Sequence, residues 1–137
     1  SEEENHYLSV GALCQKDVRF FAAQIDEAYV GCAALVFKEG YCELKSMFVD
    51  PCHRGKGVAK RLMAALEREA TSQRFEFIRL ETGELLKEAV TLYTKFGFIP
   101  CGPFGNYSDD PASVFMEKLL SSPPKVGASQ SRKDSFR

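Results

Sequence analysis

Apolar runs separated by short polar turns fill the first half of the chain, with alternating side chains at residues 42–49, and the spacing becomes helical near residue 58. The run VRFFAAQI at 18–25 predicts a strand, AYVGCAALVF at 28–37 a second, and residues 41–49 a third. Short polar turns at Asp26-Glu27 and Lys38-Glu39-Gly40 join them, which predicts an antiparallel meander. From about Val58 to Ser72, Ala59, Leu62, Met63, Leu66 and Ala70 recur along one stripe, so a helix is expected to lie there on a sheet. FEFIRLET at 75–82 returns to strand spacing. The link from the third strand through the helix is a crossover, and crossovers favour parallel pairing. A second helix over about 85–96 places Leu86, Ala89, Val90, Tyr93 and Phe96 on one face, with Gly97 to stop it. A short strand at 98–101, a turn-rich loop at 102–111 and a closing strand at 112–120 complete the pattern.

This order predicts an α+β (α/β) domain over residues 18–120 with a mixed, mostly antiparallel sheet. Residues 1–17 are polar, with only a weak helical tendency around Tyr7 to Leu13, and are expected to be an N-terminal remnant or linker. Residues 121–137 combine Pro, Ser and Gly with four basic residues and one acidic, a charge of +3, and are expected to form a disordered tail.

Composition narrows the function classes. A chain of 137 residues supports one domain, and its 45% hydrophobic content is that of a globular protein. A net charge of −1 without a basic, aromatic-studded patch predicts no nucleic-acid partner. No apolar run reaches the ~18–20 residues that span a bilayer, so no membrane association is expected. The opening Ser-Glu-Glu-Glu has the wrong sign for a signal peptide, and the missing initiator Met suggests a processed form or a fragment. Five scattered cysteines, Cys14, Cys32, Cys42, Cys52 and Cys101, form no C-x-x-C pair and point to a reducing compartment, the cytoplasm or nucleus. With only His6 and His53, no metal site is expected.

The candidate chemistry centres on Glu43 to Ala59, ELKSMFVDPCHRGKGVA. A strand ends at Asp50-Pro51, and the basic glycine loop Arg54-Gly55-Lys56-Gly57 runs straight into a helix. The first N–H groups of a helix lack intrahelical partners and carry the positive end of its dipole. Glycine lets an anion approach that backbone, and Arg54, Lys56, Lys60 and Arg61 add full charges. A pyrophosphate is the expected ligand. The plainer reading of an isolated Gly-x-Gly is a tight turn with solvated basic residues, and the flanking elements outweigh it.

The element order resembles the GNAT superfamily of acetyl-CoA-dependent N-acetyltransferases. The family's pyrophosphate signature is Arg or Gln, two residues, Gly, one residue, then Gly or Ala, and it stands here as Arg54-Gly55-Lys56-Gly57-Val58-Ala59. A second family feature stands as Leu92-Tyr93-Thr94-Lys95-Phe96-Gly97-Phe98. The resemblance implies a sheet with a splayed parallel pair and flanking helices. Members usually begin with a strand and one or two helices, and that portion is expected to be largely missing here. Leu86 stands where the family often has an Asn for the pantetheine arm.

The resemblance also implies a division of labour. Backbone N–H groups of Arg54, Gly55, Lys56, Gly57, Val58 and Ala59 would hold the pyrophosphate, and Met47, Phe48 and Val49 would pair with the pantetheine amides. An N–H on that edge would polarise the thioester carbonyl. Tyr93 is the expected general acid and a further cofactor contact, because a phenol near pKa ~10 can protonate a thiolate. The amphipathic stripe alone would make it a core tyrosine. Glu43, eleven positions before Arg54, is the expected general base, with Glu81 as fallback. Regular alternation would put Glu43, Lys45, Met47 and Val49 on one face; the plainer reading of Glu43 is a salt bridge to Lys45 or Arg79. Cys52-His53 is a weak nucleophile candidate, and Asp109-Asp110 a weak attractor for a cationic acceptor. The expected activity is acetyl transfer from acetyl-CoA to a primary amine of a small molecule. Alternatives are a protein lysine or N-terminus as acceptor, and an inactive acetyl-CoA-binding module. The exposed edge of the first strand, 18–25, invites pairing into a homodimer.

Overall fold

The computed structural model describes residues 8–120; the expected tail at 121–137 and the first seven residues lie outside them. One sheet runs through the molecule. Its strands are β1 (Leu8–Gln15), β2 (Val18–Ile25), β3 (Ala28–Phe37), β4 (Cys42–Val49), β5 (Phe77–Gly83), β6 (Ile99–Cys101) and β7 (Ser113–Leu119). The helices are α1 (Val58–Ser72) and α2 (Lys87–Lys95), with a 3-10 turn at Pro51–His53. The sheet order is β1-β2-β3-β4-β5-β7-β6. All pairs are antiparallel except β4 with β5. The α+β architecture read from the periodicity is the observed one.

The N-terminal stretch departs from expectation. Leu8–Gln15 is neither linker nor helix but an edge strand paired along its whole length with β2. Asp17 closes the connecting turn at φ 63, a left-handed conformation that Asp tolerates better than most residues. Small residues such as Ser9, Gly11 and Ala12 give this stretch little intrinsic strand preference. Pairing with β2 and packing of Leu8 and Val10 against the core supply what propensity lacks. The exposed edge therefore belongs to β1, not to 18–25.

Helix α1 crosses one face of β1 to β4 and buries Val58, Leu62, Met63, Leu66 and Ala70. Full burial of each large aliphatic side chain contributes about 1.5–3 kcal/mol. Val58, 1% exposed, stands in the stripe in place of the expected Ala59, which is half-buried. Gly31 makes the close approach possible: a Cβ there would lie 2.9 Å from a Val58 methyl and 3.0 Å from the Phe48 carbonyl oxygen. Arg19 with Glu69 at 2.8 Å and Lys118 with Glu67 at 2.7 Å pin the helix at its rim.

Two irregularities shape the site. First, β4 pairs with β5 only at Cys42–Ile78 and Glu43–Arg79, while β5 goes on to pair with β7. The two strands part beyond Glu43. Second, the register of β4 against β3 slips between Ala34 and Leu35, so that Lys45 is an extra residue. Such a bulge reverses the alternation beyond it. Leu44, Met47 and Val49 consequently pair with Leu35, Ala33 and Gly31 on the α1 face, whereas Glu43 pairs with Val36 on the other. The expected shared face of Glu43, Met47 and Val49 does not exist.

Candidate active site

Where β4 and β5 separate, a cavity of about 790 Å³ opens between the end of β4, the start of α1 and one side of α2. Met47, Phe48 and Val49 form its floor along the β4 edge that β5 leaves unpaired. Arg54, Gly55, Gly57, Val58, Ala59 and Lys60 form one end. Tyr93, Leu92, Phe96 and Leu86 form the opposite wall. Of the ten residues expected to touch a cofactor, nine line this one space; Lys56 is exposed in the same loop and stands outside it.

The loop's conformation suits a bound anion. Gly57 is the residue before α1, in the left-handed region at φ 81, and gives the helix no side-chain cap. The first backbone donor of the helix with a partner within it is Arg61, which bonds to Gly57 at 3.0 Å. The N–H groups of Val58, Ala59 and Lys60 therefore remain as donors at the cavity end. Gly55, at φ 78, is also left-handed, and a Cβ on either glycine would meet nothing within 4 Å. Open space in front of unpaired amides and cationic side chains is what a pyrophosphate requires.

Tyr93 is set by the end of α2. Phe98 donates its N–H to the Tyr93 carbonyl at 3.0 Å and Gly97 to Thr94 at 3.0 Å, with Gly97 at φ 97. This is a Schellman closure. It brings Phe98 back under the tyrosine, ring against ring edgewise at 5.7 Å. Tyr93 is 8% exposed, and burial pushes its phenol pKa upward, so it is protonated at neutral pH. It is both the core tyrosine of the plainer reading and a residue on the cavity wall.

Glu43 does not line the cavity. It is 3% exposed, at the apex of the splay on the face opposite α1. Its Oε2 accepts a 2.6 Å hydrogen bond from the Tyr107 hydroxyl and has Lys45 Nζ 3.5 Å away. Lys45 Nζ donates to the Tyr107 oxygen at 2.9 Å. The Lys45 partnership is thus present, whereas Arg79 pairs with Glu117 at 3.0 Å instead. Glu81, the fallback base, accepts from Ser113 Oγ at 2.7 Å. Asp110 caps a turn by accepting from the Ala112 N–H. Cys52 is exposed and its N–H is held by Asp50, while His53 Nδ1 lies 3.5 Å from Asp50 Oδ2. That arrangement does not pair His53 with the thiol.

No role for Tyr107 was legible in the sequence, His53 stood there only beside Cys52 as a weak nucleophile candidate, and nothing foretold an apolar cavity wall from Leu85, Leu86, Leu92 and Phe96. Only the loop's path reveals Tyr107. Leu85 and Leu86 carried a legible signal, two adjacent leucines opening a helix, and both are exposed at the cavity mouth. Among the described residues no group of His, Cys, Asp and Glu is placed to hold a metal ion, and no helix is long and apolar enough to cross a membrane.

This splayed sheet, with a glycine-rich turn feeding a helix beside the split, defines an acyl-CoA-using transferase. Residues 2–98 match the model of the acetyltransferase (GNAT) family, and the chain belongs to that family. It is an acetyl-CoA-dependent N-acetyltransferase. Relatives include the IAA acetyltransferase of Azospirillum brasilense, 42% identical over 86% of this chain and 78% of that protein. The uncharacterised N-acetyltransferase YsnE of Bacillus subtilis is 37% identical over 86% of this chain and 80% of its own. The crystal structure of a candidate acyl-CoA N-acyltransferase from Klebsiella pneumoniae superposes with a TM-score of 0.79 at 31% identity, over 85% of this chain and all of that one.

Proposed function

We propose that the acceptor is a primary amine on a small molecule and that the cavity at the splay receives acetyl-CoA. The observation that carries this reading is the meeting, in one cavity, of an unpaired β4 edge, an uncapped helix start and a buried phenol. The amides of Val58, Ala59 and Lys60 hold the pyrophosphate, with Arg54 and Lys60 supplying charge and Lys56 adding to the field from outside. The open backbone of Met47, Phe48 and Val49 pairs with the amides of the pantetheine arm and directs an N–H at the thioester carbonyl. Leu86, where the family often has a polar residue, offers that arm an apolar contact.

Acetyl transfer needs the acceptor nitrogen to lose a proton and the departing sulfur to gain one. Tyr93 Oη gives its proton to the sulfur; its raised pKa keeps that proton available at neutral pH. Glu43 is the proton sink for the acceptor. An alkylamine with pKa ~10.4 is neutral in only about one molecule in a thousand at pH 7, so a base is needed. A relative called IAA acetyltransferase favours a small molecule over a protein acceptor.

The test is a panel of primary alkylamines, arylamines and lysine- or N-terminus-bearing peptides with isotopically labelled acetyl-CoA, read by mass spectrometry. Label is expected on small amines and not on peptides. Label confined to peptides would overturn the small-molecule acceptor. Tight acetyl-CoA binding without label on any acceptor would select a binding module.

A further inference from the structure

Glu43 is too deeply enclosed to meet an acceptor directly. The carboxylate is 3% exposed, and its Oε2 is covered by the Tyr107 hydroxyl at 2.6 Å and flanked by Lys45. An amine approaching from solvent reaches the half-buried Tyr107 and the 47% exposed Lys45 side chain first. The loop that carries Tyr107 is anchored to place it. Phe104 packs edgewise on Tyr41, Tyr107 and Phe115 at 5.4–5.6 Å, and Tyr107 packs on Phe115 at 5.7 Å. Gly105, left-handed at φ 59, passes so close to Tyr41 that a Cβ would lie 3.0 Å from its hydroxyl.

We propose that Tyr107 is a catalytic relay: it takes the acceptor's proton on its phenol oxygen while passing its own proton to the Glu43 carboxylate. This rests on the reading of Glu43 as the proton sink. The exchange balances. The ammonium N–H bond breaks as a bond to the phenol oxygen forms, the phenol O–H breaks as Glu43 gains a proton, and the phenol ends neutral as it began. The products are a neutral amine and a protonated Glu43, which returns its proton to solvent by the reverse path after turnover.

Lys45 shows that the required geometry fits. Its Nζ is a primary alkylammonium already donating to the phenol oxygen at 2.9 Å, the position a substrate ammonium takes when the exposed Lys45 side chain gives way. Desolvation first, and then the bond to Glu43, push the Tyr107 pKa upward, so the phenol carries its proton at neutral pH. The other charged groups nearby are engaged elsewhere: Arg79 with Glu117, and Glu81 with Ser113.

The experiment compares pH profiles of kcat/KM for wild type, Tyr107→Phe, Glu43→Gln and the double variant, using the alkylamine that turns over fastest in the panel. Calorimetry with acetyl-CoA accompanies each. Phenylalanine keeps the ring in the aromatic cluster and removes only the hydroxyl. Each single variant is expected to lose on the order of 10²-fold at pH 7 with acetyl-CoA affinity unchanged. The loss should shrink as pH rises toward the amine's own pKa, and the double variant should be no worse than Glu43→Gln, because the two groups act in series. Wild-type rates for Tyr107→Phe beside a crippled Glu43→Gln would overturn the relay and leave the base standing. A Tyr107→Phe deficit of the same size at every pH would also overturn it, in favour of a packing role. Wild-type rates for both variants would remove the base and the relay together.

Discussion

At the scale of single residues, two side chains and one glycine carry the proposed chemistry. Tyr93 is held by the helix closure at Gly97 and by Phe98, so removing its hydroxyl disturbs no hydrogen bond among the described residues. Tyr93→Phe is expected to keep acetyl-CoA affinity and lower kcat by on the order of 10²-fold, as stopped-flow thiol release would show. Unchanged turnover would make Tyr93 a core residue only. Gly57 combines a left-handed φ of 81 with open space in front. Gly57→Glu would strain the turn by roughly 1–2 kcal/mol and place a negative charge against the phosphates. Calorimetry should find acetyl-CoA binding abolished; wild-type affinity would move the pyrophosphate elsewhere. Both residues were legible as motif members. Tyr107 was not, because nothing in Gly102 to Pro111 says which way a turn-rich loop folds.

Elements set where those residues stand. The pattern of β2 and α1 was readable because each buries one face on a common core, and burial enforces a period there. The bulge at Lys45 was not readable, since a single extra residue leaves the local hydrophobic run looking regular. Its consequence is large: it separates Glu43 from the Met47 and Val49 face, so the proposed base and the proposed cofactor contacts stand on opposite faces of β4. The distance between α1 and the sheet is set by Gly31. Gly31→Ala would drive a methyl into Val58 and the Phe48 carbonyl, pushing back the helix start that lines the cavity. Overpacking of this kind costs about 1–3 kcal/mol. Denaturant unfolding should show that loss and calorimetry a weaker acetyl-CoA affinity; an unaffected affinity would mean that the helix start is free of the sheet.

For the whole molecule, stability depends on groups kept protonated by burial. Cys42, enclosed between the sheet and α1, has its thiol pKa pushed up from 9.0 to about 12 by desolvation first and then by Glu69. Below pH 9 the folded and unfolded chains hold that proton equally. Between pH 9 and about 12 the unfolded thiol ionises while the folded one does not, so the unfolded state binds fewer protons and stability falls as pH rises. Tyr93 and Tyr107, also shifted upward, act in the same direction. Urea unfolding across this range should show a steady alkaline loss, with a shallower slope in Cys42→Ala. An unchanged slope would assign the loss to other groups. The sequence by itself determined the α+β architecture, the family and the glycine-rich turn into α1, because periodicity and a contiguous motif are local properties of the chain. Tertiary structure alone decided that Leu8–Gln15 joins the sheet, that β4 parts from β5 just past Glu43, and that a distant loop lays Tyr107 on that carboxylate. Those outcomes depend on pairing partners and on packing across tens of residues, which no local pattern encodes.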